Sequence, residues 1–299
     1  MNMKIDTLLG QFCDYSTYMR GYAPETIRRY KEAVRCFTKI TGVENIQQAN
    51  ENHVRSFFLY GRTERNWTPG TFITKHKSLV VFFRWCVERG YLESNPAGEI
   101  ELPKLPKKLP PKLTRQQAME LLQVTFNYPY DYRFLRYRNH AIFATFIFAG
   151  LRKQELLNLG YGDVDLDNMS LFVRQGKGAK DRIIPICHTL ASTLQRYIGE
   201  RKRLNKTCPE FFVSLNRNVG FTHSGLKRLV EKIHMASGIP FTIHKLRHTF
   251  ATLMLEGGCD IYSLSKMMGH SDIKTTTIYL AASAEHLRSQ MTKHPLNDL

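Results

Sequence analysis

Hydrophobic positions in the first third of the chain follow the period of an α-helix. Leu8 and Phe12 lie four residues apart, on one predicted helical face. Pro24 and Pro69 each stand where the first turn of a further helix would begin, a position that tolerates proline because its amide hydrogen is not needed there. No convincing strand pattern interrupts these helices. The patterns predict a small helical domain over residues 1–100.

A basic, proline-rich segment follows this domain. Residues 101–113 read ELPKLPKKLPPKL, with four prolines and four lysines. Proline is unfavourable in helix interiors and in central strands, so the segment is predicted to be an extended, semi-rigid linker. Its lysines are typical of a solvated connector, and they could also contact phosphates along a nucleic-acid backbone.

Residues 114–299 contain hydrophobic patterns of both helices and strands. Thr114 is a predicted helix N-cap, and an apolar helix over about 138–149 ends at Gly150. Residues 170–186 alternate between apolar and polar side chains around a Gly-Lys-Gly turn, which predicts a β-hairpin with a basic tip. Helices resume from about residue 189. The predicted fold class is therefore mainly α with a small antiparallel β-sheet.

The charge balance narrows the class of partner. The chain carries 43 Lys and Arg against 26 Asp and Glu, a net charge of +17. Residues 1–112 contribute +7 and the remainder +10, so the excess belongs to both domains. A basic surface of this extent favours nucleic acid. The apolar run from Ala141 to Leu151 is too short for a membrane span and no signal-peptide pattern is present, so we expect a cytoplasmic protein with no membrane partner.

Two segments of the second domain carry candidate phosphate-binding cations. Arg152 follows the predicted buried helix and its terminal glycine, so a rigid element would hold its guanidinium, which can bind phosphate in a bidentate manner. Glu155 is expected to pair with a neighbour. Lys177 lies at the tip of the predicted hairpin, where a lysine suits proton donation to a leaving oxygen. The hairpin tip does not match a nucleotide-binding P-loop.

A third segment places two histidines and an arginine on one helical face. Thr242 is a predicted N-cap, and His244, Arg247 and His248 follow at positions i, i+3 and i+4. Such a face near a helix N-terminus suits an anion. The histidine spacing also permits a metal, but Lys245 stands where the zincin pattern needs glutamate, so the metal interpretation is weaker. His248, deeper in the helix, is interpreted as structural.

The fourth segment runs from Met-Gly-His at 268–270 to Tyr279. Gly269 suits a helix C-terminus, and His270 follows it at the junction with the next helix. Two arginines, a lysine, two histidines and a tyrosine meet the requirements of a metal-free phosphodiester transfer. The arginines would neutralise the phosphate oxygens, and the tyrosine would form a covalent intermediate.

These motifs, in this order, resemble the tyrosine recombinase family, especially its Xer-type and phage-integrase-like members. The motifs are G-L-R at 150–152, G-K-G at 176–178, H-K-L-R-H at 244–248, M-G-H at 268–270 and T-T-T-I-Y at 275–279. The resemblance extends over nearly the whole chain. It implies a helical, SAM-like core-binding domain over 1–100 and a mixed α/β catalytic domain over 114–299.

The resemblance also implies roles for six residues. Arg152 and Arg247 would clamp the scissile phosphate of double-stranded DNA. Lys177 would be the general acid, and His244 would assist as acid or base. His270 would bind the phosphate, and Tyr279 would attack it to leave a 3′-phosphotyrosine and a free 5′ hydroxyl. Because the phosphotyrosine bond conserves the energy of the broken bond, no metal, cofactor or ATP is expected.

Family members assemble on DNA, and this assembly is expected here as well. The resemblance implies a homo- or hetero-tetramer, a Holliday junction intermediate, and a C-terminal tail that docks on a neighbouring protomer, with Leu287 and Met291 as candidate anchors. A translocase or a directionality factor is a possible accessory partner. Base-reading or phosphate-binding candidates are polar side chains near two helix starts: Thr71, Lys75, Lys77, His223, Ser224, Lys227 and Arg228.

Three other functions remain open at this stage. A type IB topoisomerase shares the chemistry but relaxes supercoils as a monomer, and the Xer-like linker and tail argue against it. A DNA-binding regulator without catalysis would not need all six residues. A metal nuclease would lose activity in a chelator. The biological role, whether chromosome dimer resolution, integration and excision of a mobile element, or inversion, is not set by the sequence.

Overall fold

A computed structural model describes residues 3–105, 110–174, 181–270 and 272–280. The chain consists of two compact units, Met1–Lys107 and Lys108–Leu299. The predicted linker, 101–113, contains this division, and its exact bounds stay a prediction. Lys177, Leu287 and Met291 lie outside the described residues.

The first unit is a helical domain, as the sequence predicts. Its α-helices pack around phenylalanines such as Phe37, Phe57 and Phe82, which are fully buried. A short π-helical turn, Tyr15–Met19, follows the first helix. The helices of this unit are α1 (Ile5–Asp14), α2 (Pro24–Thr41), α3 (Glu51–Thr63) and α4 (Pro69–Glu88).

Prolines and N-caps set the helix starts in this unit. Pro24 and Pro69 occupy the first positions of α2 and α4, where the fixed φ of proline suits the helix. The side chain of Thr68 accepts a hydrogen bond from the amide of Thr71 and caps α4. Helix α2 ends at Gly42, whose φ of +71° is in the left-handed region.

The second unit combines helices with a small sheet. Its helices are α5 (Arg115–Asn127), α6 (Arg133–Ala149), α7 (Lys153–Leu157), α8 (His188–Arg203), α9 (His223–Ser237), α10 (Ile243–Glu256), α11 (Ile261–Met268) and α12 (Lys274–Thr277). The strands are β1 (Val164–Asp165), β2 (Ser170–Val173) and β3 (Arg182–Pro185). They form an antiparallel sheet in the order β1-β2-β3, with Leu171 opposite Ile184. The predicted fold class, mainly α with a small antiparallel sheet, is confirmed.

Helix α6 is the centre of the second unit. Residues from Ala141 to Ala149 are almost all buried, because α5, α8 and α10 pack around this helix. The continuous apolar run that the sequence shows here is thus the run of a central helix, covered on every side. Helix α6 starts at Arg133, earlier than the predicted start at about 138.

Lys112 and Leu113, the last two residues of the predicted linker, are anchored on α10. The buried amide of Leu113 donates to Thr249 Oγ1 at 2.8 Å, and Lys112 Nζ lies 2.6 Å from Glu256 Oε1. Leu113 itself is buried. The helix that carries His244, Arg247 and His248 therefore also holds Lys112 and Leu113.

Candidate active site

A glycine turn sets the position of Arg152. Helix α6 ends at Gly150, whose φ is +60°, and a Cβ at this position would lie 2.2 Å from the ring of Phe250. Only glycine meets both conditions without strain. The chain then turns so that Arg152 is the N-cap of α7, with its backbone amide and its Nη1 each 2.7 Å from the carboxylate of Glu155.

Glu155 joins two arginines. Arg182, on β3, donates from both Nη atoms to the two oxygens of this carboxylate, at 2.9 and 2.8 Å. Burial opposes ionisation of Glu155, but Arg182 and Arg152 outweigh it and hold the pKa of the carboxyl at about 2. Arg182 Nε also donates to the carbonyl of Met267 at 2.8 Å. The group ties β3 and the end of α11 to the start of α7.

Arg247 is buried where three segments meet. Thr242 caps α10, and Arg247 lies in the second turn with only 5% of its surface exposed. Its Nη1 donates to the carbonyl of Gly150 and its Nη2 to the carbonyl of Met268, both at 2.5 Å. Burial and then the nearby Arg152 lower its pKa to about 10, so the guanidinium is still charged at neutral pH.

His270 is placed by the end of α11. Gly269 takes a φ of +63° to end that helix, and Arg152 Nη2 donates to its carbonyl at 2.8 Å. His270 then faces Arg247, with 3.3 Å between Nε2 and the guanidinium Nη2. Its Nδ1 lies 2.8 Å from Thr276 Oγ1. Burial, followed by Arg247 and Arg152, lowers the pKa of His270 to about 4, so the ring is neutral at physiological pH.

Tyr279 is the most enclosed of the candidate catalytic residues that the structure describes. Only 2% of its surface is exposed, and it packs with Phe250, Leu264 and Met268. The phenol oxygen lies 2.8 Å from Nδ1 of His248. Burial raises the pKa of Tyr279, and the charges of Arg247 and Arg152 oppose this rise.

The structure thus brings four of the six candidate catalytic residues to one region of the second unit, namely Arg152, Arg247, His270 and Tyr279. His244 lies one turn before His248 on α10 and is exposed. The side chain that contacts the Tyr279 hydroxyl is His248, which the sequence analysis interprets as structural. Burial, followed by His244 and Arg247, lowers the pKa of His248, which favours a neutral ring.

Sequence reasoning missed Arg182 and Thr276. Arg182 precedes Ile184 by two residues on β3, so period-two alternation puts it on the same face as a fully buried side chain. A charged residue on the buried face of a strand needs a partner, and this was the signal available in the sequence. Thr276 offered no such signal, since the run of threonines at 275–277 does not by itself show which of the three is buried.

Two negative findings apply to the described part of the chain. No group of three or more His, Cys, Asp or Glu side chains lies close enough to hold a metal ion among the residues that the structure describes. Among the same residues, no helix has the length and apolar composition needed to cross a membrane.

Helix α9 presents the candidate DNA-reading residues of the second unit. Thr222 caps the helix by accepting a hydrogen bond from the amide of Gly225 at 3.1 Å. The apolar positions Leu226 and Leu229 face the core. The candidate DNA-reading residues of this helix are all exposed, on the side of the first two turns that faces away from the core: His223, Ser224, Lys227 and Arg228.

In the first unit, the candidates divide between two faces of α4. Thr71 and Lys75 line a groove of about 530 Å³ together with Arg28 and Arg29 of α2. Lys75 is only 13% exposed, with Nζ 3.6 Å from Glu32 and 5.1 Å above the ring of Trp67.

Lys77 does not share this groove. It is exposed and lies two residues after Lys75, which is about 200° further round an α-helix. The two lysines therefore point to different sides of α4.

The sequence matches two family descriptions. Residues 111–286 match the Phage integrase family, and residues 8–93 match the Phage integrase, N-terminal SAM-like domain. The chain is 33% identical to Tyrosine recombinase XerA of Thermococcus kodakarensis over 298 residues, which cover 95% of this chain and 94% of that protein. It is 31% identical to Tyrosine recombinase XerC 2 of Ralstonia nicotianae over 288 residues, which cover 90% and 80% of the two chains.

Solved structures have the same fold. A crystal structure of XerA recombinase is 26% identical and covers 97% of this chain and 98% of its own, with a TM-score of 0.54. A Tn1549 transposon integrase in complex with a circular intermediate DNA covers 98% and 100%, with a TM-score of 0.75 and 20% identity. The resemblance that the sequence motifs indicate is confirmed. The chain belongs to the phage integrase family and is a tyrosine recombinase of the Xer type.

Proposed function

We propose that this recombinase cuts and rejoins double-stranded DNA with Tyr279 as the nucleophile. The observation that carries the proposal is the convergence of Arg152, Arg247, His270 and Tyr279 from four separate segments of the chain on one basic region. Two relatives of this fold are described with DNA, a XerH site-specific recombinase bound to a palindromic difH substrate and a lambda integrase dimer bound to a COC′ core site. A double-stranded recombination site is therefore the proposed substrate.

The charge of the region favours a phosphate diester. Arg152 and Arg182 contact a single carboxylate, that of Glu155, and Arg247 lies nearby, so these four side chains carry a net charge of +2 at neutral pH. Such a surplus in a partly buried site attracts an anion and stabilises the charge that develops as phosphorus is attacked. Arg152, with 24% of its side chain exposed, is the more accessible of the two proposed phosphate ligands.

The proposed reaction is a balanced exchange of two phosphorus–oxygen bonds. The phenol of Tyr279 gives up its proton to a histidine, and its oxygen bonds to phosphorus. The bond from phosphorus to the 5′ oxygen breaks, and that oxygen takes a proton. Lys177, which lies outside the described residues, is the proposed donor of this proton, and His244 the proposed assistant. His270 donates to a non-bridging oxygen.

Rejoining is the same reaction in reverse with a new 5′ hydroxyl as the nucleophile. Because the phosphotyrosine conserves the bond energy, the exchange needs no nucleotide hydrolysis. A tetramer of identical or related protomers on two DNA sites would pass through a Holliday junction. We place this reaction in the cytoplasm, in chromosome dimer resolution or in integration and excision of a mobile element, with a translocase or directionality factor as a possible accessory protein.

The test is covalent capture on a nicked suicide duplex. Duplexes that carry candidate sites from the DNA around the gene are incubated with enzyme in EDTA, and protein–DNA adducts are resolved on a denaturing gel. Wild type and the control Tyr262→Phe, which alters an exposed tyrosine of α11, should form an adduct, whereas Tyr279→Phe should not. An adduct that still forms with Tyr279→Phe would mean that Tyr279 is not the nucleophile. DNA binding without an adduct, across sites and partner subunits, would indicate a regulator.

A further inference from the structure

We propose that Thr276 is a positioning residue that sets which ring nitrogen of His270 carries the proton, and so equips His270 to donate from Nε2 to the scissile phosphate. The inference rests on the proposed function for the identity of the ligand. The hydrogen bonding from which it starts is a property of the free protein.

The contacts of His270 fix its tautomer in this structure. Nε2 lies 3.3 Å from Arg247 Nη2, and a guanidinium can only donate. Nε2 therefore accepts, and the single proton of the neutral ring is on Nδ1. That proton is donated to Thr276 Oγ1 at 2.8 Å.

This tautomer is the wrong one for binding phosphate. Phosphate oxygens accept hydrogen bonds, so Nε2 must carry a proton to bind one. A second proton on the ring is unfavourable, first because the ring is partly buried, and then because the groups that face His270 from the start of α7, from β3 and from α10 are cations or another histidine. These groups are Arg152, Arg182, Arg247 and His248.

Thr276 offers a way to reverse the tautomer without charging the ring. A threonine hydroxyl both donates and accepts. When a phosphate replaces His270 as the partner of Arg247, the hydroxyl can rotate and donate to Nδ1, and the ring proton then resides on Nε2. Thr276 is fully buried, so its hydroxyl is enclosed beside the ring in the protein interior.

Thr276 also connects His270 to the nucleophile segment. The backbone amide of Tyr279 donates to the carbonyl of Thr276 at 3.0 Å, so the two residues share one helical turn. The same residue that sets the proton of His270 is therefore part of the turn that carries the phenol. A change at Thr276 that keeps the hydroxyl should preserve both properties.

The experiment compares Thr276→Val, which is nearly isosteric and lacks the hydroxyl, with Thr276→Ser, which keeps it. Thr277→Val is the matched control, because Thr277 is the exposed neighbour. The measurement is the single-turnover rate of adduct formation on the suicide duplex from pH 3.5 to pH 9, a range that includes the pKa of His270 at about 4, with DNA affinity and thermal unfolding measured alongside. We expect Thr276→Val to be slowed by about 10²-fold at neutral pH, the usual loss for one positioned donor, while Thr276→Ser and Thr277→Val stay near wild type.

The pH profile separates this role from a structural one. At low pH the doubly protonated ring donates from Nε2 without help, so the deficit of Thr276→Val should shrink as the pH falls. A deficit that is constant across pH, or absent, overturns the proposal. A deficit in Thr276→Ser as large as that of Thr276→Val also overturns it.

Nitrogen-15 NMR of labelled histidines tests the tautomer directly. We expect His270 to carry its proton on Nδ1 in the free enzyme and on Nε2 when Tyr279→Phe enzyme is bound to the intact duplex. The Nε2 form in the free enzyme would overturn the inference. Failure of wild type to form any adduct, with the Nδ1 form present, would instead count against the proposed function.

Discussion

The phenol oxygen of Tyr279 lies 2.8 Å from Nδ1 of His248. With 2% of its surface exposed, Tyr279 is covered in this conformation, and its hydroxyl is bonded within the protein. A phosphate in a DNA duplex can reach this oxygen only after the residues around it move. The contact with His248 therefore has two consequences. It holds the phenol in place, and it offers a neutral ring nitrogen that can accept the phenol proton.

Replacement of His248 by alanine should slow cleavage by about 10²-fold near neutral pH, a loss typical of one acid–base group. Burial raises the pKa of Tyr279, so the phenol does not ionise unaided in this range. The rate of adduct formation by His248→Ala should accordingly rise with pH more steeply than that of wild type. His188→Ala, an exposed histidine of α8, is the control. Equal pH profiles for His248→Ala and wild type would mean that His248 does not take part in proton transfer.

Removing the charge of Glu155 should destabilise the second unit by about 3–5 kcal/mol, the cost of breaking a buried ion pair. In Glu155→Gln, Arg182 and Arg152 lose the carboxylate that both of them contact. Glu231→Gln, which affects an exposed pair 3.8 Å long on α9, should change stability by less than about 1 kcal/mol.

The two units can be followed separately in this experiment. Both tryptophans, Trp67 and Trp85, lie in the first unit, so their fluorescence follows that unit alone. Urea unfolding by far-ultraviolet circular dichroism should show the loss in Glu155→Gln, while the fluorescence transition stays in place. A shift of the fluorescence transition alone would contradict the prediction that Glu155 stabilises the second unit.

Gly150→Ala should be far more costly than Gly238→Ala. Both glycines end helices with positive φ, +60° and +65°, so alanine adds about 1–2 kcal/mol of backbone strain at either position. At Gly150 the new Cβ would also overlap the ring of Phe250, whereas at Gly238 no atom lies within 4 Å. We expect a further 1–3 kcal/mol from this overlap. Thermal unfolding of the two variants provides the comparison, and equal losses would exclude a role for the Phe250 contact.

Local patterns in the sequence were sufficient to predict most of the fold. Helix period, N-terminal prolines and capping threonines marked the long helices, since each of these signals lies within a few residues of the element that it describes. The starts and ends were less accurate, as at α6. Two short elements, α7 and β1, were missed because five and two residues are too few to show a period.

The side chains of the site were predicted by type, but their connections were not. The contact of Arg182 with Glu155 joins residues 27 positions apart, and that of His248 with Tyr279 joins residues 31 apart. Such pairs depend on how whole elements pack, which no local pattern contains. The assisting acid–base role that the resemblance implies for His244 stays a prediction, whereas the contact of His248 with the phenol became visible only in the structure.

Acid should destabilise the second unit through His140. This ring packs against Phe126 on α5, and burial, followed by Arg196, lowers its pKa from 6.5 to about 4. The unfolded chain therefore binds a proton that the native state does not, so stability is lost as the pH falls from about 6.5 to about 4. His140→Gln should reduce the slope of unfolding free energy against pH by up to about 1.4 kcal/mol per unit, one proton's worth. His188→Gln, which alters an exposed histidine of α8, is measured in the same urea titrations for comparison.

The two lysines of α4 should differ in their contribution to DNA binding. Lys75 shares a groove with Arg28, Arg29 and Thr71, whereas Lys77 points to another side of the helix. Each phosphate contact adds about 0.9 to the slope of log affinity against log salt. If the groove follows the DNA backbone, Lys75→Met should lower the slope by about that amount. Lys77→Met, the matched change, should not alter it. Anisotropy of a labelled duplex at several salt concentrations measures both slopes. A loss confined to Lys77→Met would place the DNA on the other side of α4, and equal losses would mean that the duplex reaches both faces.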